Sequence, residues 1–202
     1  MESATAVGMT STIVKAWLTK AFSPRYLLIT NTVTGTTFLT AGDVIHQHLS
    51  AIADNEQRSF DWKRALRVAT MGLILSPLNH FYYKWLDSYV VKGTRGVIVA
   101  KKLAVDTATA PVMAVSYVVG INVLEGEPLS TGFDEYKRKF HYFAALDVFL
   151  WLPVQAINFW FLPPTLRVVF VSTAALVDSV VIAHIKQTEH PGQKAAEKVH
   201  TG

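Results

Sequence analysis

Thr107-Ala108-Thr109-Ala110-Pro111-Val112-Met113-Ala114-Val115-Ser116-Tyr117-Val118-Val119-Gly120-Ile121-Asn122-Val123-Leu124 carries no formal charge and is bounded by Asp106 and Glu125. A helix needs about 20 residues to cross the hydrocarbon of a bilayer, and this run approaches that length. Three more uncharged runs flank it along the chain: Tyr26 to Gly42, Val68 to Tyr83 and Val148 to Leu166. A fifth, Val168 to Ile185, is broken only by Asp178 and His184. Pro163-Pro164 separates the fourth from the fifth, because proline lacks a backbone donor and disfavours helix in the residue before it. The fifth run either spans or lies against the bundle.

The composition agrees. Of 202 residues, 50% are apolar and only 17% charged, with a mean hydropathy of +0.27. A soluble helical domain with buried helices this apolar would have little chain left to cover them, so membrane insertion is the expectation. Strands fit poorly, since the runs lack strict alternation and are about twice the length of barrel strands. Helices satisfy their own backbone in lipid. The fold class expected is therefore all-α: a polytopic integral membrane bundle of four to five apolar helices with a short amphipathic N-terminal helix. Residues 1–25 form a basic amphipathic segment, 26–186 a single transmembrane domain, and 187–202 a flexible polar tail.

The net charge of +4 and pI near 9.3 suit an anionic membrane surface or nucleic acid and identify neither. The chain has no cysteine, which excludes disulfides, thiolate nucleophiles, iron–sulfur clusters and cysteine-ligated zinc. Polar connectors join the runs over 50–63, 88–102 and 125–139. With five spans, nine basic residues fall on one side and ten on the other, which leaves the orientation open. At the amino terminus Ile13, Val14, Trp17, Leu18 and Phe22 recur at helical spacing beside Lys15, Lys20 and Arg25. That pattern fits a mitochondrial address, an interfacial helix or a helix packed on the first span.

Strongly polar side chains in a span are costly and usually face protein or water. Here they recur: Asp43, His46 and Gln47; Asn79 and His80; Lys102 and Asp106; Asp147; Gln155 and Asn158; Asp178. Asp43 and His46 lie three apart and Lys102 and Asp106 four apart, so each pair can neutralise locally on one helix face. Gln155 and Asn158 share a face. With Arg167 these side chains either line a hydrated path or form a network that sets helix order. Pro77, Pro111 and Pro153 fall in or near three runs, where each frees a carbonyl. Trp62, Trp85, Trp151 and Trp160 lie near run ends, as interfacial anchors do. No Walker loop, dinucleotide glycine pattern, His-Glu-x-x-His or Gly-x-Ser-x-Gly is present, so no catalytic, cofactor or metal site is expected.

The order of these features resembles the Mpv-seventeen family, which includes the twenty-two-kilodalton peroxisomal membrane protein. The resemblance covers roughly 26–186. It rests on Leu27-Leu28-Ile29-Thr30-Asn31-Thr32, Ala41-Gly42-Asp43 with Gln47, Pro77, His80, Tyr83, Leu86-Asp87, Lys102-Leu103, Asp106, Pro111, Trp151, Gln155, Asn158-Phe159, Pro163 and Arg167. Ile29-Thr30-Asn31-Thr32, Leu124-Glu125-Gly126 and Pro163-Pro164 before Arg167-Val168 look most like its Mpv-seventeen-like protein two branch. The chain departs from the family at Thr107, where glutamine is usual, and at Val177, where tryptophan is common. Pro153 lies one residue later than the family's Trp-Pro.

The resemblance implies a multi-spanning protein of the mitochondrial inner membrane, or less often the peroxisomal membrane, with no established enzymatic activity and no cofactor. The family is associated with small-solute pores and the branch with assembly of the mitochondrial ribosome. The leading expectation is a non-enzymatic protein supporting mitochondrial gene expression. In it Lys92, Arg95, Lys101 and Lys137-Arg138-Lys139 would contact an acidic ribosomal surface or lipid; solvated anchoring charges explain the same residues. The rival is a channel lined by Asp43, Asp106, Gln155 and Asn158. The partners expected are the bilayer, the large mitochondrial ribosomal subunit and a second copy of the chain, without direct DNA contact.

Overall fold

The computed structural model describes residues 15–54 and 59–189, so the amphipathic pattern before residue 15 and the tail beyond 189 lie outside the described residues. Within them the chain is helical and no strand occurs. After a short helical segment over 15–21, α1 runs Leu27–Asp54, α2 Trp62–Tyr89 and α3 Arg95–Leu124. α4, Leu129–Leu146, continues through a π-helical turn at Asp147–Trp151 into α5, Leu152–Phe161. A 3-10 turn at Pro164–Leu166 then leads into α6, Arg167–Glu189.

The stops and starts follow local chemistry. Asp61 caps α2 by accepting from the Arg64 backbone N–H at 2.9 Å. Leu162 and Pro163 are extended, which ends α5 where Pro163-Pro164 demands it. Pro77 and Pro111 are carried inside α2 and α3. Pro153 cannot donate to residue 149, and its ring crowds that carbonyl. Just before it the helix widens, and the Leu152 N–H reaches back five residues to the Asp147 carbonyl. The segment 125–139, read above as a connector, is helical from Leu129 onward; Leu129, Phe133, Tyr136, Phe140 and Phe143 give it one apolar face.

Two helices, Arg95–Leu124 and the continuous Leu129–Phe161, are long and apolar enough to cross a membrane. Burial runs opposite to that of a soluble domain. Phe149, Trp62, Ile52 and Phe161 are at least 70% exposed, whereas Asn31, Asp43, Lys102, Gln155, Asn158 and Arg167 are buried. Trp62, Trp85 and Trp160 stand exposed near helix ends, as anchors do. Trp151 does not: it sits inside the continuous helix, away from either end, in the wall of a cavity between the helices. Of the described part of the N-terminal apolar pattern, Trp17 and Leu18 are exposed and Phe22 is half-buried.

α1 packs most extensively along α6 and α2, and α3 along α4 and α5. The bundle is thus two groups of three helices with slimmer contacts between them. The close approaches use glycine: a Cβ on Gly72 would lie 2.8 Å from the Thr36 Cα, and one on Gly132 would lie 2.7 Å from the Val119 Cα. Gly126, at φ +88°, makes the turn from α3 to α4. Where the two groups meet near the starts of α3 and α6, Tyr83, Leu86, Val99, Phe159 and Val168 form a compact apolar cluster.

Candidate functional site: a carboxylate-lined cavity between the helix groups

A cavity of about 720 Å³ lies between the two helix groups. α1 contributes Asp43 and His46; α2 contributes Tyr82 and Tyr83; α3 presents the Asp106, Ala110, Ala114 and Tyr117 face. Tyr136, Phe140 and Phe143 of α4, Asp147 and Trp151 of the π turn, Gln155 of α5 and Asp178 of α6 complete much of the wall.

At one end of the wall the polar groups satisfy one another. Gln155 Nε2 donates to Asp106 Oδ2 at 2.8 Å and to the Tyr83 hydroxyl at 2.7 Å. Tyr82 Oη donates to Asp106 Oδ1 at 3.2 Å and pairs with Thr109 Oγ1 at 2.9 Å. Asn158 Nδ2 donates to Gln155 Oε1 at 2.8 Å, as their shared face predicts. At the other end Asp43 accepts from Arg64 Nε at 2.7 Å and from Gln47 Nε2 at 2.8 Å. Gln47 also accepts from the Asp61 backbone N–H at 2.9 Å, tying α1 to the cap of α2. Asp106, Asp147 and Asp178 face the cavity with no basic side chain paired to them among the described residues.

Two local pairings expected from spacing are replaced by pairings between helices. Lys102 does not neutralise Asp106; its Nζ lies 2.5 Å from Asp87 Oδ1 of α2, and Arg167 Nη1 of α6 binds the same oxygen. Asp43 takes Arg64 as its cation, with His46 Nδ1 3.4 Å from Arg64 Nη2. In each case the cation comes from a different helix, 21 residues away for Asp43–Arg64 and 15 for Asp87–Lys102, rather than from the neighbour on the same helix. His80 Nδ1 meets Asn31 Nδ2 at 2.9 Å and so joins α1 to α2 away from the cavity wall. Arg64, Tyr82, Tyr83, Thr109 and Asp87 take part without having been singled out as site residues. Tyr83 and Asp87 had a signal, both standing in the motifs that carry the family resemblance, and Asp87 also as the first acid after the uncharged run of α2.

The basic residues read as partner contacts fall into two sets. Lys92, Arg95 and Lys101 are exposed where α3 begins. Lys101 Nζ donates to the Lys92 carbonyl at 3.2 Å, and Arg95 donates to the Trp160 carbonyl and stacks over its ring at 5.3 Å. Lys137, Arg138 and Lys139 are exposed on α4, with Lys139 2.5 Å from Glu135 and Lys137 3.3 Å from Asp134. Asn122 donates to Glu135 at 2.8 Å, which sets this second set beside the end of α3, opposite the first. Among the described residues no three His, Asp or Glu side chains gather to hold a metal ion.

The model of the Mpv17 / PMP22 family matches residues 122–183. The chain is 27% identical over 161 residues to PXMP2/4 family protein 2 of Dictyostelium discoideum, covering 78% of this chain and 83% of that protein. It is 26% identical over 146 residues to the mitochondrial inner membrane protein Mpv17 of Danio rerio, covering 72% and 81%. It is 28% identical over 129 residues to peroxisomal membrane protein 2 of Bos taurus, covering 61% and 63%. No solved structure matches the chain. The family resemblance read from the sequence therefore holds, and with the two helices of spanning length it implies a lipid bilayer as the surroundings.

Proposed function

Starting from kinship with the Mpv17 / PMP22 membrane proteins, we propose that this chain is a non-enzymatic protein of the mitochondrial inner membrane, or alternatively of the peroxisomal membrane, whose cavity admits small polar solutes. In this reading α1, α2 and α6 cross the bilayer together with the two helices of spanning length and hydropathy, α3 and the continuous Leu129–Phe161. At about 1.5 Å per residue, the 28 residues of α1 reach about 42 Å, enough to cross with ends protruding. One observation carries the reading: a cavity of about 720 Å³ between the two helix groups of a bundle with an apolar exterior, lined by Asp106, Asp147 and Asp178, none of them paired with a basic side chain among the described residues. Ionisable side chains within spans face the bundle interior or a water-filled cavity and mark solute paths, which is the reading three carboxylates without a cation support.

Purified protein in planar bilayers should conduct, and Asp106→Asn should shift the reversal potential measured across a salt gradient. Conductance no greater than that of empty bilayers overturns the reading.

Support of mitochondrial ribosome assembly, the role the resembled branch implies, is the second reading. The exposed Lys137-Arg138-Lys139 run favours it, as a surface an acidic partner can approach. Co-sedimentation with large ribosomal subunits tests it, and absence from those fractions at low and moderate salt removes it. Self-association of the chain is assigned by neither reading and is read from the same gradients.

A further inference from the structure

The buried charges where α2 ends and α3 and α6 begin do not balance. Lys102 and Arg167 are each 6% exposed, and among the described residues Asp87 is the acidic group paired with both. Both cations bind the same oxygen, Oδ1. Arg167 Nη2 is spent on the Leu162 carbonyl at a long 3.5 Å, and Arg167 Nε is buried with no acceptor among the described residues. The guanidinium lies over the Phe159 ring at 5.5 Å, and Phe159 packs with Tyr83, Leu86, Val99 and Val168 in the apolar cluster. A surplus buried positive charge with unused donors is costly until an anion completes it.

The surroundings suit entry of that anion. Asp87 is the most accessible member of the trio, with 17% of its side chain exposed. Lys92, Arg95 and Lys101 are exposed at the same end and raise the local concentration of anions. None of the trio lines the cavity described above. We propose that Lys102 and Arg167 form a binding site for a tetrahedral oxyanion of the phosphate class, with Asp87 as a tethered competitor for the same donors. The planar fork of Arg167 and the ammonium of Lys102 are the two donor types that phosphate oxygens take. The site goes beyond the solute cavity and does not depend on it.

The test uses the full chain in detergent micelles, with inorganic phosphate as the probe and sodium chloride at matched ionic strength as the reference. Phosphorus-31 line broadening should saturate, and the unfolding temperature should rise with phosphate and not with chloride. Asp87→Asn should bind phosphate about tenfold more tightly, and its lowered unfolding temperature should be rescued by phosphate. Lys102→Gln should abolish the saturable component, and Arg167→Lys, which keeps the charge and loses the fork, should weaken it. Nanodiscs with phosphatidic acid separate the sources: competition with inorganic phosphate assigns the site to a lipid headgroup, and its absence assigns it to soluble phosphate compounds. No saturable broadening in either the wild type or Asp87→Asn overturns the proposal. Equal binding by the wild type and Lys102→Gln also overturns it. Should Asp87→Asn fail to fold, unchanged affinity in Arg167→Lys overturns it.

Discussion

The side-chain amide of Gln155 donates to the carboxylate of Asp106 at 2.8 Å, joining α5 to α3 across 49 residues of sequence. The same amide donates to Tyr83 and accepts from Asn158, so every hydrogen-bonding atom of Gln155 is used. Gln155→Leu removes all three contacts at once. In membrane bundles such bonds are worth about 0.6 kcal/mol on average, with the best near 1.7. Loss of about 2 kcal/mol in SDS-titrated unfolding is the expected outcome, and a change below about 0.5 kcal/mol would show that the network adds little to the fold.

The chain lacks cysteine, so introduced cysteines report without background. Ala110 and Ala114 line the cavity, whereas Val112 is exposed on the outer surface of α3. In intact membranes Ala110→Cys and Ala114→Cys should react with a water-soluble thiosulfonate at least about tenfold faster than Val112→Cys, because thiolate formation needs water. Equal rates at the three positions would mean the cavity is dry.

Gly72 and Gly120 make opposite demands on a new methyl group. On Gly72 it meets the backbone of Thr36, which only moves if α1 and α2 separate. On Gly120 it meets the Met71 side chain, which is flexible and can swing aside. Gly72→Ala should destabilise by about 1–3 kcal/mol and Gly120→Ala by less than about 1, measured by the same titration.

Charge count in the buried trio predicts an asymmetry. Removing Lys102 leaves a neutral pair of Asp87 and Arg167, whereas removing the Asp87 charge leaves two buried cations facing each other. Asp87→Asn should cost about 3–5 kcal/mol and Lys102→Met distinctly less. Lys137→Met, at a mostly exposed pair with Asp134, should stay within about 0.5 kcal/mol. Unfolding in phosphate-free buffer distinguishes the three, and a reversed order for the first two would contradict the charge count.

The uncharged runs 68–83, 107–124 and 168–185 lie within α2, α3 and α6, and the run 148–166 overshoots α5 by the extended Leu162–Pro163 and the turn after it, since a span advertises itself by where charges are missing and not by where its helix stops. The Gln155 and Asn158 face was legible for the same reason that local pairings were misleading: spacing of three or four residues describes one helix only. Asp87 meets Arg167 from 80 residues away, and nothing in the chain near either residue marks the other. Lys102 and Asp106 look like partners in sequence because both sit on α3, yet each is desolvated against a different neighbour. The segment 125–139 was misread because its charges drew attention away from an apolar residue every three or four positions. Trp151 was taken for an anchor because the run that contains it seemed to begin at Val148, while the helix begins at Leu129.

The widened turn at Asp147–Trp151 alters the phase of everything beyond it. Asp147 and Gln155 are eight residues apart, which on a regular helix at about 100° per residue would point them about 80° away from each other. Absorbing one surplus residue in the turn reduces that divergence to about 20°, so both reach the same chamber. The two ends of the helix are thereby geared together: deleting a single residue such as the outward-facing Phe149 would leave seven regular steps and keep the Tyr136, Phe140 and Phe143 wall in step with Gln155, whereas regular winding without a deletion would turn them about 80° apart.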